Sequence, residues 1–263
     1  MRKSLIIIIF LFISYGLQSQ VLIALLLGDK LNTGKIEFGL DGGFNYSNIS
    51  GMESNNYDNS FFLGFYFDIK MKENWYLNTG FLVKSTMGID ELSDADLEFL
   101  QATTYDTEGK YKQQLSYWVL PVLAKYKFEN HMYAEAGLQF ALLRKSWIEF
   151  NSDIDGNSAR IKETNTDMLN RFDTGIVAGT GFRLLKGMGW TIGVRYYYGF
   201  IDVYKEGSGT KNNSLFLKMN VPMGLSDDKK AEIKEFKASK KEAKERRKEE
   251  KKKKKEEENE NTQ

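Results

Sequence analysis

This 263-residue sequence contains one histidine, His131, and no cysteine, so side chains that commonly act as general bases, nucleophiles or metal ligands are scarce. Transition-metal sites are therefore poorly supplied with ligands. His131 lies in a predicted turn, Glu129-Asn130-His131, where we expect a solvated turn residue rather than a general base. No spacing of Asp or Glu singles out a carboxylate pair. We predict no catalytic residue, no cofactor-binding residue and no metal site, and therefore that the protein is not an enzyme.

One segment has the composition of a cation-binding loop. Asn151-Ser152-Asp153-Ile154-Asp155-Gly156 resembles the start of an EF-hand calcium loop. The twelfth position of that loop is Lys162, where calcium requires a bidentate Glu, and no predicted helix precedes it. We favour a polar surface loop over a calcium site.

The elements that carry these residues alternate apolar and polar side chains with a period of two, in eight separate runs. In Ser60–Met71 one parity is wholly apolar, whereas the other includes Asp68 and Lys70. Each run is about as long as a bilayer is thick, which predicts an all-β fold: an eight-stranded antiparallel up-and-down transmembrane β-barrel. The predicted strands are Lys35–Tyr46, Ser60–Met71, Trp75–Met87, Gln114–Phe128, Met132–Ile148, Arg171–Leu184, Trp190–Tyr204 and Asn213–Gly224.

The connections between these strands alternate between long and short. The short ones are Lys72-Glu73-Asn74, Glu129-Asn130-His131 and Leu185–Gly189. Outer-membrane barrels have short periplasmic turns and long extracellular loops, so this alternation predicts the orientation of the chain. In the second long loop, Ser93 and Asp96 have the spacing of a helix cap, so Ser93–Leu100 is predicted as a short helix over the barrel mouth. The alternative to a membrane barrel is a soluble one with its apolar face inward.

The polar parity carries charges of both signs. Because eight strands enclose little more than side chains, we favour a packed, hydrogen-bonded polar core over an ion path. Tryptophans near the strand ends predict two aromatic belts at the membrane interfaces. The predicted interior charges are Glu37, Asp41, Asp68, Lys70, Lys84, Lys125, Glu135, Asp173, Arg183, Arg195 and Lys218, and the predicted belts contain Trp75, Trp118, Trp147 and Trp190.

The chain divides into four segments. Arg2 and Lys3 followed by an apolar run predict a secretory signal peptide over 1–20, the alternative being an uncleaved membrane helix. Residues 21–34 form a periplasmic lead-in, 35–225 the barrel, and 226–263 a Lys/Glu-rich periplasmic tail that is either helical or disordered. The formal net charge of +1 gives no indication of nucleic-acid binding.

Two segments resemble a known family. The run from Gly28 to Gly43, and Leu120–Tyr126 followed by Tyr133–Gly137, resemble the Bacteroidetes outer-membrane β-barrel family called PorT-like or "porin family". The resemblance implies an eight-stranded barrel of OmpX-like architecture and no defined substrate. Leu217–Leu225 departs from the common barrel ending because it holds no aromatic residue.

The resulting hypotheses are a structural or interaction protein that displays loops, a narrow pore or secretion component, and an outer-membrane enzyme, in that order. The expected partners are outer-membrane lipid, a periplasmic or cell-wall partner for the tail, and an extracellular ligand for the loops.

Overall fold

The fold is described from a computed structural model of the chain. It describes residues 35–154, 157–187 and 189–223 and the short stretches 234–236, 238–242 and 245–246, which are helical. The predicted signal peptide, the predicted lead-in and most of the predicted tail lie outside the described residues.

The described chain is almost entirely β-structure. Its strands are β1 (Ile36–Ser50), β2 (Asn56–Lys72), β3 (Trp75–Asp90), β4 (Lys110–Lys127), β5 (Met132–Ile154), β6 (Asn157–Thr164), β7 (Phe172–Arg183), β8 (Thr191–Asp202) and β9 (Lys211–Pro222). Two short helices, α1 (Asp94–Phe99) and α2 (Leu184–Gly187), and a 3₁₀ turn (Thr166–Met168) lie in the connections. None of the helices in the described ranges is long and apolar enough to span a bilayer.

Eight of these strands close into a ring. The antiparallel order runs β4-β3-β2-β1-β9-β8-β7-β5, and β4 pairs with β5 from Lys110–Asn151 to Lys127–Tyr133. This last pairing removes both sheet edges, so the predicted eight-stranded up-and-down barrel is confirmed. The short turns after β2, β4 and β7 lie at one end of the ring, which we call the short-turn end.

The ninth strand, β6, was not predicted. It pairs only with β5, from Trp147–Thr164 to Ile154–Asn157, and so extends one hairpin beyond the ring. The sequence of β6 offers no apolar face, which is why it reads as a polar loop. Asn151–Asp153, the start of the calcium-like segment, belongs to strand β5.

The apolar parity faces outward. Leu138, Ile176 and Leu217 are exposed on the outside of the ring, whereas Val119 and Leu123 on the opposite parity are fully buried. This arrangement is that of a barrel whose exterior contacts lipid. It excludes the alternative of a soluble barrel, in which the apolar parity would face inward.

A β-bulge in β3 overturns one predicted position. Leu82 pairs with Val119 and Ser85 pairs with Tyr117, so β3 holds one extra residue at this point and its parity flips. Lys84 was predicted to face the interior, but it is exposed on the outside, with Nζ 5.6 Å from the centroid of the Phe61 ring.

Interior glycines accommodate large side chains. A Cβ on Gly39 would lie 2.6 Å from Cε1 of Tyr66, and a Cβ on Gly181 would lie 2.5 Å from Cε1 of Tyr133. Each tyrosine ring therefore lies directly against an interior glycine, in space that the side chain of any larger residue would occupy.

A closed ring without open strand edges should stay folded in detergent until it is heated, which gives a first prediction. We expect the unboiled protein to migrate differently from the boiled protein in gel electrophoresis, and protease to leave a core of about 20 kDa. Identical migration of the two samples would contradict the closed barrel.

Candidate functional site in the barrel interior and its lid

The predicted interior charges lie mainly in the half of the lumen nearest the short-turn end. There Asp68 accepts hydrogen bonds from Lys125 Nζ at 3.0 Å and from Asn78 Nδ2 at 2.7 Å. Lys127 Nζ lies 2.8 Å from the other carboxylate oxygen of Asp68 and 4.0 Å from the centroid of the Tyr76 ring. One carboxylate thus binds two cations and an amide.

Glu135 lies at the centre of this charged network. Its carboxylate is buried and accepts from Arg195 Nε at 2.9 Å and Nη2 at 2.8 Å. Lys125 Nζ and Lys218 Nζ lie 3.5 and 3.8 Å from its two oxygens. Glu135 therefore faces three cations from three different strands, β4, β8 and β9.

Further contacts extend the network across the lumen. Lys218 Nζ is 3.4 Å from Asp41, and Arg195 Nη2 donates to Asn78 Oδ1 at 3.1 Å. Nearer the short-turn end, Glu37 accepts from Arg183 Nη1 at 2.6 Å and from the Tyr66 hydroxyl at 2.9 Å.

These groups nearly balance in charge. Carboxylates and cations that are removed from water must be paired, because an isolated buried charge is far too costly. Each cation of the network lies within 4 Å of a carboxylate, so the charged half acts as a cross-braced core that ties strands together. The cations are Lys125, Lys127, Arg183, Arg195 and Lys218, and the carboxylates are Glu37, Asp41, Asp68 and Glu135.

Besides Lys84, two predicted interior residues lie outside this network. Asp173 is buried in the lumen and accepts from Asn212 Nδ2 at 2.8 Å, while Asn212 also donates to the Tyr117 hydroxyl at 3.1 Å. Lys70 is exposed at the short-turn end, because β2 leaves the lumen there.

The other half of the lumen combines large apolar side chains with buried polar ones such as Asn45 and Gln113, and the sequence did not predict the apolar part. The Phe62 and Phe216 rings meet edge to face at a centroid distance of 5.2 Å. Leu82 and Val119 are buried beside them. The predicted polar interior is therefore incomplete for this half, because large apolar side chains share the lumen with the polar ones and fill the narrow ring. The buried apolar lumen residues include Ile49, Phe62, Leu82, Met87, Ile89, Leu115, Tyr117, Val119, Leu123, Val177, Tyr197 and Phe216.

Helix α1 covers the mouth of this apolar half. The predicted helix and its cap are present: Ser93 Oγ accepts from Asp96 N at 3.2 Å, and the Asp96 carboxylate accepts from Ser93 N at 3.4 Å. Leu97 and Leu100 are buried in the same apolar cluster as the lumen residues. We call 91–109, which carries this helix, the lid.

Asp96 also fastens the lid to the neighbouring connection. Its two carboxylate oxygens accept from the backbone N–H groups of Glu53 and Ser54, both at 2.9 Å. Burial by itself raises the pKa of Asp96, but the hydrogen bonds from Ser54, Glu53 and Ser93 outweigh it and hold the pKa below its ordinary value. The lid is therefore anchored by an ionised carboxylate.

Three of the four predicted belt tryptophans lie on the outer surface of the ring. Trp75 and Trp190 are 49% and 51% exposed beside short turns, and Trp118 is 42% exposed nearer the long connections. Trp147 differs because it lies in the hairpin of β5 and β6, half-buried, with Lys162 Nζ 4.7 Å from its ring centroid.

A cavity of about 270 Å³ opens at the short-turn end. Lys127, Arg183, Glu37 and Tyr133 line it, and His131 lies at its edge. His131 is exposed in its turn, with φ of 70°, and its ring packs edge-on against Phe182 at 6.4 Å. Within the described ranges, no group of three His, Cys, Asp or Glu side chains is placed to hold a metal ion.

Removing the charge of Glu135 tests the charged network. We expect Glu135→Gln to lower the free energy of unfolding by about 3–5 kcal/mol, because Arg195, Lys125 and Lys218 then lose a buried counter-charge. The measurement is the urea concentration at which the heat-modifiable folded band disappears. Lys70→Gln, an exposed control, should change it little. Equal midpoints for Glu135→Gln and the wild type would refute the central role of Glu135.

The lid contact predicts a pH dependence. Since the pKa of Asp96 is lowered in the folded protein, its contribution is complete above the ordinary value of 3.8 and is lost as the pH falls through the lower, folded value. We expect hydrogen exchange of the lid amides to accelerate in that acid range. Asp96→Ala should give the fast exchange at pH 7 already, through loss of about 1–2 kcal/mol of local stability. Slow lid exchange in Asp96→Ala would contradict the anchor.

Comparison with known proteins agrees with this geometry. The family model described as "Outer membrane protein beta-barrel domain" matches residues 18–205. No curated protein sequence matches the chain.

Several solved outer-membrane structures are similar to the chain at low identity. Ail, the attachment invasion locus protein of Yersinia pestis, is 12% identical, with 72% of this chain and 99% of that chain covered and a TM-score of 0.37. OprG from Pseudomonas aeruginosa is 13% identical, with 72% and 93% covered and a TM-score of 0.33. The closed ring with its apolar exterior, and the family match over most of its length, lead to one conclusion: the chain belongs to the outer membrane protein β-barrel domain family.

Proposed function

We propose that this outer-membrane barrel is a closed scaffold of the structural or interaction type, which displays its long connections at the cell surface. The observation that carries the proposal is the filled lumen. Phe62, Leu82, Val119 and Phe216 are buried across one half, and the ion-paired network around Glu135 occupies the other. A path for ions would have to pass both layers and the lid.

The lid and the β5–β6 hairpin are the surfaces that would meet an extracellular ligand. Both are held by specific contacts: Asp96 fastens the lid, and Thr103 N donates to Glu163 Oε2 of β6 at 2.9 Å. Ordered connections of this kind present a fixed surface, which suits recognition better than solute passage.

Enzymatic activity has little support. His131 lies at the short-turn end, whereas the lid and Glu149 of β5 lie at the opposite end of the barrel. We therefore propose a non-enzymatic role.

We place the short-turn end in the periplasm. Strand β9 runs toward that end, and its last residue, Pro222, pairs with Gly39 near the start of β1. Residues 226–263 would then enter the periplasm, where their lysines and glutamates could contact the cell wall or a periplasmic protein. The resemblance of Gly28–Gly43 to Bacteroidetes PorT-like barrels, and a signal peptide over 1–20 cleaved on export, complete this proposal.

Conductance tests the closed scaffold against the narrow pore. The full-length protein, reconstituted in a planar bilayer with a general porin as positive control, should give no steady single-channel steps, because the lumen is filled. Reproducible steps of uniform size would overturn the closed scaffold and favour the pore or transport component.

Protease accessibility tests the orientation. With an epitope after Gln263, we expect trypsin to spare the lysine run Lys251–Lys255 in intact cells and to cut it once the outer membrane is permeabilised. Cleavage in intact cells would place the tail outside and reverse the proposed orientation.

A further inference from the structure

Three cations lie on the outer surface of the ring without a counter-charge. Lys84 on β3 and Arg144 and Lys145 on β5 are exposed, and no carboxylate of the described chain lies within 4 Å of any of them. By contrast, the cations of the lumen network are all paired. A cation that faces lipid needs either water or an anion.

Two β-bulges put these cations there. The first is the extra residue of β3 between Leu82 and Ser85. The second lies on β5, where Ser116 pairs with Lys145 and Tyr117 pairs with Leu143, so Arg144 is the extra residue. Bulges re-aim side chains: the first turns Lys84 toward the exterior, and the second turns Lys145 outward beside Arg144, which already lies on the outward parity of β5.

The bulges lie on the two strands that flank β4, at nearly the same height. Trp118 of β4 lies between them, with its ring 5.3 Å from Cζ of Arg144 and 6.1 Å from the Phe81 ring. Strands are spaced about 4.8 Å apart, so Lys84 and Arg144 stand about 10 Å apart across β4. That separation fits one large lipid headgroup or two adjacent ones.

The height is that of a membrane surface. From Tyr126, near the short-turn end, to Tyr117 the chain runs nine residues, which is about 31 Å along the strand or about 23 Å along an axis tilted by about 40°. The lipid-facing band of outer-membrane barrels is about 25 Å tall, so the bulges lie at its far edge, beside headgroups. Exposed Leu120 and Val122 continue below Trp118 as a surface for acyl chains.

The acidic groups further along the strands do not neutralise this patch, and Asp58 of β2 is held by Lys112, whose Nζ lies 3.8 Å from its carboxylate. Glu149, further along β5, is already held by Lys162 at 3.0 Å, Arg160 at 3.4 Å and Lys112 at 3.7 Å. Together with Asp58, this cluster holds three cations against two carboxylates, so it leaves no negative charge over for the three cations of the patch.

We propose that Lys84, Arg144 and Lys145, with Trp118 between them, form a binding site for the phosphate groups of an anionic lipid in the leaflet opposite the short-turn end. The Arg144 guanidinium presents paired donors to phosphate oxygens, and the two ammonium groups add charge from either side. The site lies on the barrel exterior, so this proposal does not depend on whether the lumen is closed or conducting.

The test uses the full-length protein folded in dodecyl maltoside and titrated with diphosphorylated lipid A, with bound lipid counted by native mass spectrometry. The triple variant Lys84→Gln/Arg144→Gln/Lys145→Gln should lose roughly fivefold in affinity for each cation removed. The matched control Lys70→Gln/Lys72→Gln/Lys205→Gln removes the same charge from other exposed positions and should bind like the wild type. Heat-modifiable migration checks that both variants are folded.

Two further arms identify the ligand chemistry. Phosphatidylcholine should bind wild type and triple variant equally weakly, and inorganic phosphate at the lipid concentration should not displace lipid A. Equal lipid A affinity of wild type and triple variant, an equal loss in the control variant, or displacement by inorganic phosphate would each overturn the proposed site.

Discussion

The whole structure depends on one constraint: inside a bilayer every backbone N–H and C=O must find a partner within the protein. The continuous pairing of β4 with β5 satisfies it, since that ladder joins the ends of the sheet and leaves no open edge in the ring. Because the ring is closed, the direction in which side chains point is fixed as well. Each strand must present one parity to lipid and the other to a lumen only as wide as the side chains that fill it.

The lumen is filled by two kinds of side chains. Around Glu135 it uses charges from several strands that neutralise one another, which brace the ring by contacts that no single hairpin could make. Toward the long connections it uses buried rings such as Phe62 and Phe216 and then helix α1 as a cover. The two layers together fill the lumen of a barrel with many interior charges, which is the basis of the proposed closed scaffold.

The bulges show how small local changes redirect side chains without disturbing the ring. One extra residue in β3 and one in β5 move Lys84 and Lys145 from positions that alternation assigns to the interior onto the outer surface. The scaffold tolerates this because the bulges lie near the edge of the apolar band, where a cation reaches headgroups or water.

The sequence by itself determined the barrel, the number of strands in the ring and the capped helix at Ser93, because period-two alternation and cap spacing are local signals. It also assigned Glu135, Asp68 and Arg195 to the lumen. Only the tertiary structure decided which charges pair, that Lys84 leaves the lumen, that β6 extends a hairpin, and that large apolar side chains fill part of the interior. These depend on register, bulges and contacts between distant strands, and no single strand's sequence records them.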